Sequence, residues 1–194
     1  MKTEKNLIFE ILDESLRLKD QCIRQNLNNI LGSITTLAAC IQSGNKILIF
    51  GNGGSAADAQ HMAAEFVNRF KIERPPLAAI ALTTDTSIIT SIGNDYHFDD
   101  IFSKQIQALG KKGDVAIGIS TSGNSKNVIQ AINAAKKTGI YTMAMTGSGG
   151  ELARCSDISF TVASEITARI QEVHITIAHI LCELVERRLF PDSL

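Results

Sequence analysis

His61 and Glu65 stand four residues apart in the run Ser55-Ala56-Ala57-Asp58-Ala59-Gln60-His61-Met62-Ala63-Ala64-Glu65. On a helix this spacing puts an imidazole and a carboxylate one turn apart on one face. Such a pair is able to bind a metal ion or move a proton. Polar residues at this spacing also make ordinary solvated helix faces, and Asp58 and Arg69 extend the stripe. The segment in front argues for chemistry. Gly51-Asn52-Gly53-Gly54 follows the apolar run 46–50, and a glycine turn there leaves N–H groups unpaired at a helix N-terminus, where an anion or a sugar oxygen can take them. Ser55 and Asp58 carry the pattern of a capping box, which sets the helix to begin at Ala56.

A second loop, Ser120-Thr121-Ser122-Gly123-Asn124-Ser125, also follows an apolar run and precedes a helical pattern. Hydroxyls, a glycine and a helix N-terminus converge there, a donor set suited to a phosphate monoester. The same composition describes a common capped turn, and no Gly-Lys-Ser/Thr follows to make it a nucleotide loop. Asn94 and Asp95 either hydrogen-bond sugar hydroxyls or form an Asx turn. His179 lies among Ile177, Ile180 and Leu181, a setting more typical of a satisfied core histidine than of a catalyst. His174 and Glu172 read as structural.

These residues must be positioned by the elements around them. Five apolar runs, 46–50, 78–82, 115–119, 141–145 and 158–162, alternate with helical patterns at 56–70, 86–109, 126–138, 151–155 and 167–189. Alternation of this kind makes an α/β fold, a parallel sheet flanked by helices on both faces. The runs are apolar throughout, as strands covered on both sides should be. Ligands of such sheets bind beyond the strands' carboxyl ends, where 51–55, 83–85 with 93–95, and 120–125 all fall. Before the sheet, residues 3–43 hold one glycine, Gly32, and no proline, with Leu7, Ile8, Ile11, Leu12, Ile23, Leu27, Ile30, Leu31, Ile34, Leu37 and Ile41 at helical spacing. They predict two helices or one bent helix, ending at Gly44.

At 194 residues and 44% hydrophobic content, the chain suits one compact domain. A net charge of -1 leaves no footprint for nucleic acid. Cys22, Cys40, Cys155 and Cys182 are scattered, without a C-x-x-C, and read as reduced core thiols of a cytoplasmic protein. No apolar run reaches membrane-spanning length, and the acidic N-terminal stretch is not a signal peptide.

Taken together and in order, GNGGSAADAQHMAAEF, ALTTDTS, GND, ISTSGNS and ARIQEVHITIAHI resemble sugar isomerase (SIS) domains, and within them the phosphoheptose isomerases. The resemblance implies a five-stranded, flavodoxin-like three-layer sandwich, with segment 1–43 serving oligomerisation and 44–194 forming the SIS domain of a homotetramer. It implies aldose–ketose isomerisation between sedoheptulose 7-phosphate and D-glycero-D-manno-heptose 7-phosphate, the first step toward activated heptose for bacterial surface glycans. The substrate residues it carries over are Asn52, Gly53, Gly54, Ser55, Glu65, Asn94, Asp95, Ser120, Thr121, Ser122, Ser125 and Gln171. Zinc, where members bind it, would use His61, Glu65, Gln171 and His179. Ala168 stands where some members carry Asp before Arg-Ile-Gln-Glu, so a proton relay through that carboxylate is absent.

Isomerisation through an enediol needs a base at the carbon-bound proton and an acid near the carbonyl oxygens. Glu65 is the expected base, because a partly dry pocket moves a carboxylate toward neutrality. His179 is the expected acid or shuttle. Gln171 and His179 are eight residues apart, about 12 Å of helix rise, so one metal joins them only if both side chains reach toward it or the two come from neighbouring subunits. Two rival functions share these features. One is a catalytically silent SIS protein that binds a replication-initiation partner, a class lacking the Glu65 and His179 equivalents. The other is an isomerase of a different phosphosugar.

Overall fold

The computed structural model describes residues 2–193. Five strands, β1 (Ile47–Gly51), β2 (Ala79–Ala81), β3 (Val115–Ser120), β4 (Tyr141–Thr146) and β5 (Ile158–Thr161), form one all-parallel sheet in the order β2-β1-β3-β4-β5. Alternate side chains of each strand point to opposite faces, and the core divides accordingly. Ile47 and Ile49 of β1, Val115 and Ile117 of β3, and Met143 and Met145 of β4 pack under α1 (Glu4–Gln25), α2 (Leu27–Gln42), α3 (Gly54–Val67) and α8 (Thr167–Leu189). Leu48, Phe50, Ala116 and Ala144 pack under α4 (Thr86–Asp95), α5 (Ser103–Leu109), α6 (Lys126–Lys137) and α7 (Glu151–Cys155). Each fully buried Ile or Phe in these layers contributes about 1.5–3 kcal/mol relative to exposure.

The N-terminal pattern resolves into two helices. Thr3 caps α1 by accepting from the Asn6 N–H, and the chain turns at Asn26, whose side-chain amide bonds back to the Cys22 carbonyl. Both helices pack on α8 and belong to the same core as the sheet. Yet α1 leaves Leu7, Ile8, Phe9, Ile11, Leu12 and Leu16 exposed, and α2 leaves Leu27 and Leu31 exposed.

Three local expectations are corrected. The helix after β1 starts at Gly54 rather than Ala56, and no capping box forms. Gly53 adopts φ +55°, the Ser55, Ala56 and Ala57 N–H groups bond to the carbonyls of Asn52 and Gly53, and Ser55 is drawn into the interior beneath Gly51. The region 86–109 is not one helical stretch: non-helical Tyr96 and extended His97 separate α4 from a single 3₁₀ turn at Phe98–Asp100 and from α5. The strands are not all covered on both sides either. β1 and β3 are wholly buried, but edge strand β2 leaves Ile80 exposed, and β5 is half-buried.

His174 is fully buried on α8, with Nε2–H donating to the Thr146 carbonyl at 3.1 Å and Nδ1 left without a partner. Burial pushes the imidazole down from 6.5 to about 4, the Thr146 contact opposing weakly. The unfolded chain therefore takes up this proton near neutrality and the fold does not. Stability carried by neutral His174 is complete above pH 6.5 and declines as pH falls toward about 4, a loss of roughly 3 kcal/mol across that window. Urea melts at intervals between neutral and mildly acid pH should show this slope in the wild type and a flatter one in His174→Gln. Parallel slopes in the two proteins would contradict the assignment.

Candidate active site

β1 runs through the glycine turn into α3, and β3 runs through the serine loop into α6. Between the two loops lies a cavity of about 300 Å³, lined by Asn52, Gly53, Gly54, Ser55, Ile119, Ser120, Thr121, Ser125, Thr167 and Gln171. It sits between adjacent strands whose connections leave in opposite directions, the switch point of a doubly wound sheet.

The serine loop is internally braced. Ser120 Oγ lies 2.9 Å from Ser125 Oγ and 3.3 Å from Ser122 Oγ, and the Asn124 N–H donates to Ser122 Oγ. Gly123 has φ +65°, and a Cβ there would overlap the Gly149 carbonyl, so only glycine fits. Asn124 Oδ1 accepts from the Glu151 N–H, tying the loop to α7. Among the described residues, the N–H groups of Thr121, Ser122, Ser125, Lys126 and Asn127 have no protein acceptor. Amides at a helix start with hydroxyls beside them make a phosphate cradle. Across the cavity, the Gly53 and Gly54 N–H groups are likewise free of protein acceptors among the described residues. The Gln171 amide lies so close over Gly54 that a Cβ would overlap it.

Sequence reasoning overlooked Asn127, Thr167 and Ile119. Asn127 is buried and exchanges two 2.9 Å amide bonds with Asn52, locking the glycine turn to α6. The signal available was its place in the first turn of the helix behind a suspected phosphate loop.

His61, Glu65 and His179 form a second cluster farther along α3 and α8. His61 Nε2 is 2.9 Å from His179 Nε2 and 3.2 Å from Glu65 Oε1, and the Phe70 ring stacks against His179 at 5.4 Å between centroids. Burial, with His61 adding to it, holds the His179 pKa below the usual histidine value against the opposing pull of Glu65. At neutral pH His179 is therefore uncharged. Asp58, one turn before His61, has a buried Oδ2 without a partner, and burial pushes its carboxyl up against the opposing His61.

The candidate residues thus fall into three places. Asn52, Gly53, Gly54, Ser55, Ser120, Thr121, Ser125 and Gln171 line one cavity, while Ser122 lines an adjoining hollow with Thr121, Ser148, Ser164, Glu165, Thr167 and Ile170. Glu65, His61 and His179 form the second cluster. Asn94 and Asp95 lie exposed at the end of α4, hydrogen-bonded to each other at 2.8 Å. Within one chain Gln171 faces the glycine turn and does not join the histidines.

A parallel sheet whose switch point holds a glycine turn facing free helix-start amides and hydroxyls defines an α/β protein with an anion-suited cavity at its strand ends. A family model described as the SIS domain matches residues 11–147. The phosphoheptose isomerase of Nitratidesulfovibrio vulgaris (Hildenborough) is 54% identical over 98% of this chain and 92% of its own length. That of Thermodesulfovibrio yellowstonii is 57% identical over 94% of this chain and 92% of its own. The solved phosphoheptose isomerase of Neisseria gonorrhoeae superposes with a TM-score of 0.89 at 44% identity, covering 95% of this chain and 99% of that one. The enzyme from Francisella tularensis gives 0.91 at 37%, covering 96% and 100%. The chain belongs to the SIS domain family and, within it, to the phosphoheptose isomerases.

Because phosphate contacts hold ground state and transition state alike, Ser122→Ala should raise KM about tenfold and leave kcat nearly unchanged. Steady-state kinetics on a phosphosugar substrate check this, and an unaltered KM would remove Ser122 from the cradle.

Proposed function

We propose that this chain interconverts sedoheptulose 7-phosphate and D-glycero-D-manno-heptose 7-phosphate through an enediol, supplying activated-heptose synthesis for bacterial surface glycans such as lipopolysaccharide. Its family makes it a phosphosugar isomerase. The observation that carries the reading is the meeting of Glu65, His61 and His179 on two helices that also border the phosphate cradle. A catalytically silent relative has no need of that acid–base pair.

One carboxylate oxygen of Glu65 faces His61, and its side chain keeps 24% exposure, so the other oxygen is open to a substrate. Glu65 takes the proton from the carbon beside the carbonyl, the electron pair forms the enediol, and the proton returns to the neighbouring carbon. Neutral His179 donates its N–H to one oxygen and accepts a proton from the other. The cradle holds the phosphate, and the Gly53 and Gly54 amides with Gln171 hold hydroxyls.

Zinc fits this cluster in part. The His61–His179 and His61–Glu65 separations approach the ~3.3 Å edge of a tetrahedron with bonds of about 2.0 Å. Both contacts run through His61, and among the described residues no three His, Cys, Asp or Glu side chains close into a metal-holding group. His61, Glu65 and His179 would hold the ion, Gln171 completing the set if supplied by another subunit. When bound, zinc would polarise the carbonyl and hold two substrate oxygens together.

The separation of cradle and acid–base cluster within one chain favours sites shared in a homotetramer, with the apolar exposed face of α1 and α2 buried between subunits. No described helix is long and apolar enough to cross a membrane, and the four cysteines are free, which suits a cytoplasmic enzyme.

Glu65→Gln and His179→Gln should each lower kcat by about 10²-fold or more. The decisive readout is isotope exchange: the wild type should wash solvent deuterium into the carbon beside the carbonyl, and Glu65→Gln should not. Exchange at the wild-type rate in that variant would move the base elsewhere. Native mass spectrometry of chelator-free protein should find four chains and roughly one zinc per site. An active monomer would sink the shared site, and full activity after exhaustive chelation would eliminate a catalytic metal.

A further inference from the structure

We infer that the buried Arg74–Glu186 pair is a positioning device that holds Glu65 and His179 in register from behind. The inference rests on the reading that these two residues move the substrate proton. Both side chains are almost wholly buried, and Arg74 Nε donates to Glu186 Oε1 at 2.8 Å. The rest of the guanidinium faces the end of α3. One terminal nitrogen donates to the Glu65 carbonyl at 2.8 Å, and the other donates to the carbonyls of Phe66 (2.8 Å), Asn68 (3.3 Å) and Pro75 (3.1 Å). These include acceptors that a helix C-terminus leaves unpaired. Arg74 therefore fixes the last turn of α3 at the residue that carries the base.

Glu186 does the corresponding work on the other side. Its carboxylate accepts from three consecutive backbone N–H groups, Phe70 at 3.0 Å, Lys71 at 2.8 Å and Ile72 at 3.2 Å. That anchor fixes the turn after α3 and sets the Phe70 ring against the His179 imidazole. Seven residues separate His179 from Glu186, about two helical turns, so both lie on one side of α8. One ion pair thus reaches the base through the Glu65 main chain and the proton shuttle through the Phe70 ring. A buried pair adds little stability over an apolar replacement of the same shape, but a planar guanidinium with charge-assisted bonds fixes geometry closely.

The test uses the full chain with sedoheptulose 7-phosphate, comparing the wild type with Arg74→Lys, Glu186→Gln, Phe70→Leu and the double variant Phe70→Leu/Glu186→Gln. Phe70→Leu keeps every backbone bond to Glu186 and removes only the ring. Displacing a proton-transfer group by a fraction of an ångström should lower kcat about tenfold, with KM held within about twofold. Inhibition by inorganic phosphate should match the wild type, because the cradle is untouched. Phe70→Leu should cost little more in the Glu186→Gln background, since both act through one contact. Wild-type kcat in Phe70→Leu and in whichever pair variant folds would overturn the inference. So would additive losses, or KM and phosphate inhibition worsening in step with kcat. If neither pair variant folds, Phe70→Leu decides alone. A wild type without turnover on this sugar would instead overturn the functional reading, and the inference with it.

Discussion

The reversal of winding between β1 and β3 is the constraint on which the rest of the molecule depends. These strands are neighbours in the sheet, yet β1 continues into α3 on one face and β3 into α6 on the other. Two helices leaving adjacent strands toward opposite faces cannot close over the strand ends, and a cavity opens between their N-termini. Both helix starts direct unpaired N–H groups and the positive ends of their dipoles into that space. The fold supplies an anion site before any side chain is chosen. The serines and glycines then refine it: hydroxyls add donors, and Gly123 and Gly54 allow main chain and Gln171 to approach where a Cβ would intrude.

α8 carries the second level of organisation. Over 23 residues it presents Gln171 to the glycine turn, His174 to the end of β4, His179 to His61, and Glu186 to the turn after α3. These side chains share a helix but do different work because their surroundings differ. His174 is dry and stays neutral far below its usual range, whereas His179 is only partly buried and keeps exchange with solvent within reach. Glu186 is also dry. Burial alone would raise its carboxyl, but the three backbone donors and Arg74 hold it below the ordinary carboxylate value and keep it charged. Charge is retained inside the protein only where hydrogen bonds replace water.

Gln171, which faces the glycine turn, and His179, which meets His61, are eight residues apart on α8, about 12 Å of helix rise. The exposed apolar side chains of α1 add a second unsatisfied surface. In the proposed tetramer a neighbouring subunit would cover the apolar face and bring its own cluster toward this cavity.

Much of this was legible in the residues themselves. Strand and helix existence follows from the period of the apolar pattern, and α8 and α7 begin and end where that pattern does. The glycine turn, the serine loop and the His61–Glu65 pair are local facts of type and spacing. Boundaries failed where backbone conformation outweighed side-chain preference, as at Gly53, whose positive φ starts the helix two residues early and takes Ser55 out of any cap. The Asn52–Asn127 exchange and the Arg74–Glu186 pair were invisible, because their partners are 75 and 112 residues apart and only folding sets their distance. The roles of the two histidines of α8 were likewise not decided by sequence. His174 and His179 sit in equally apolar neighbourhoods along the chain, and packing alone makes one a dry strut and leaves the other half-buried against His61. Sequence determined which groups are present and on which elements, because periodicity and turn chemistry are local. Tertiary structure decided which groups meet, because burial and hydrogen-bond partnership depend on what the fold brings from far along the chain.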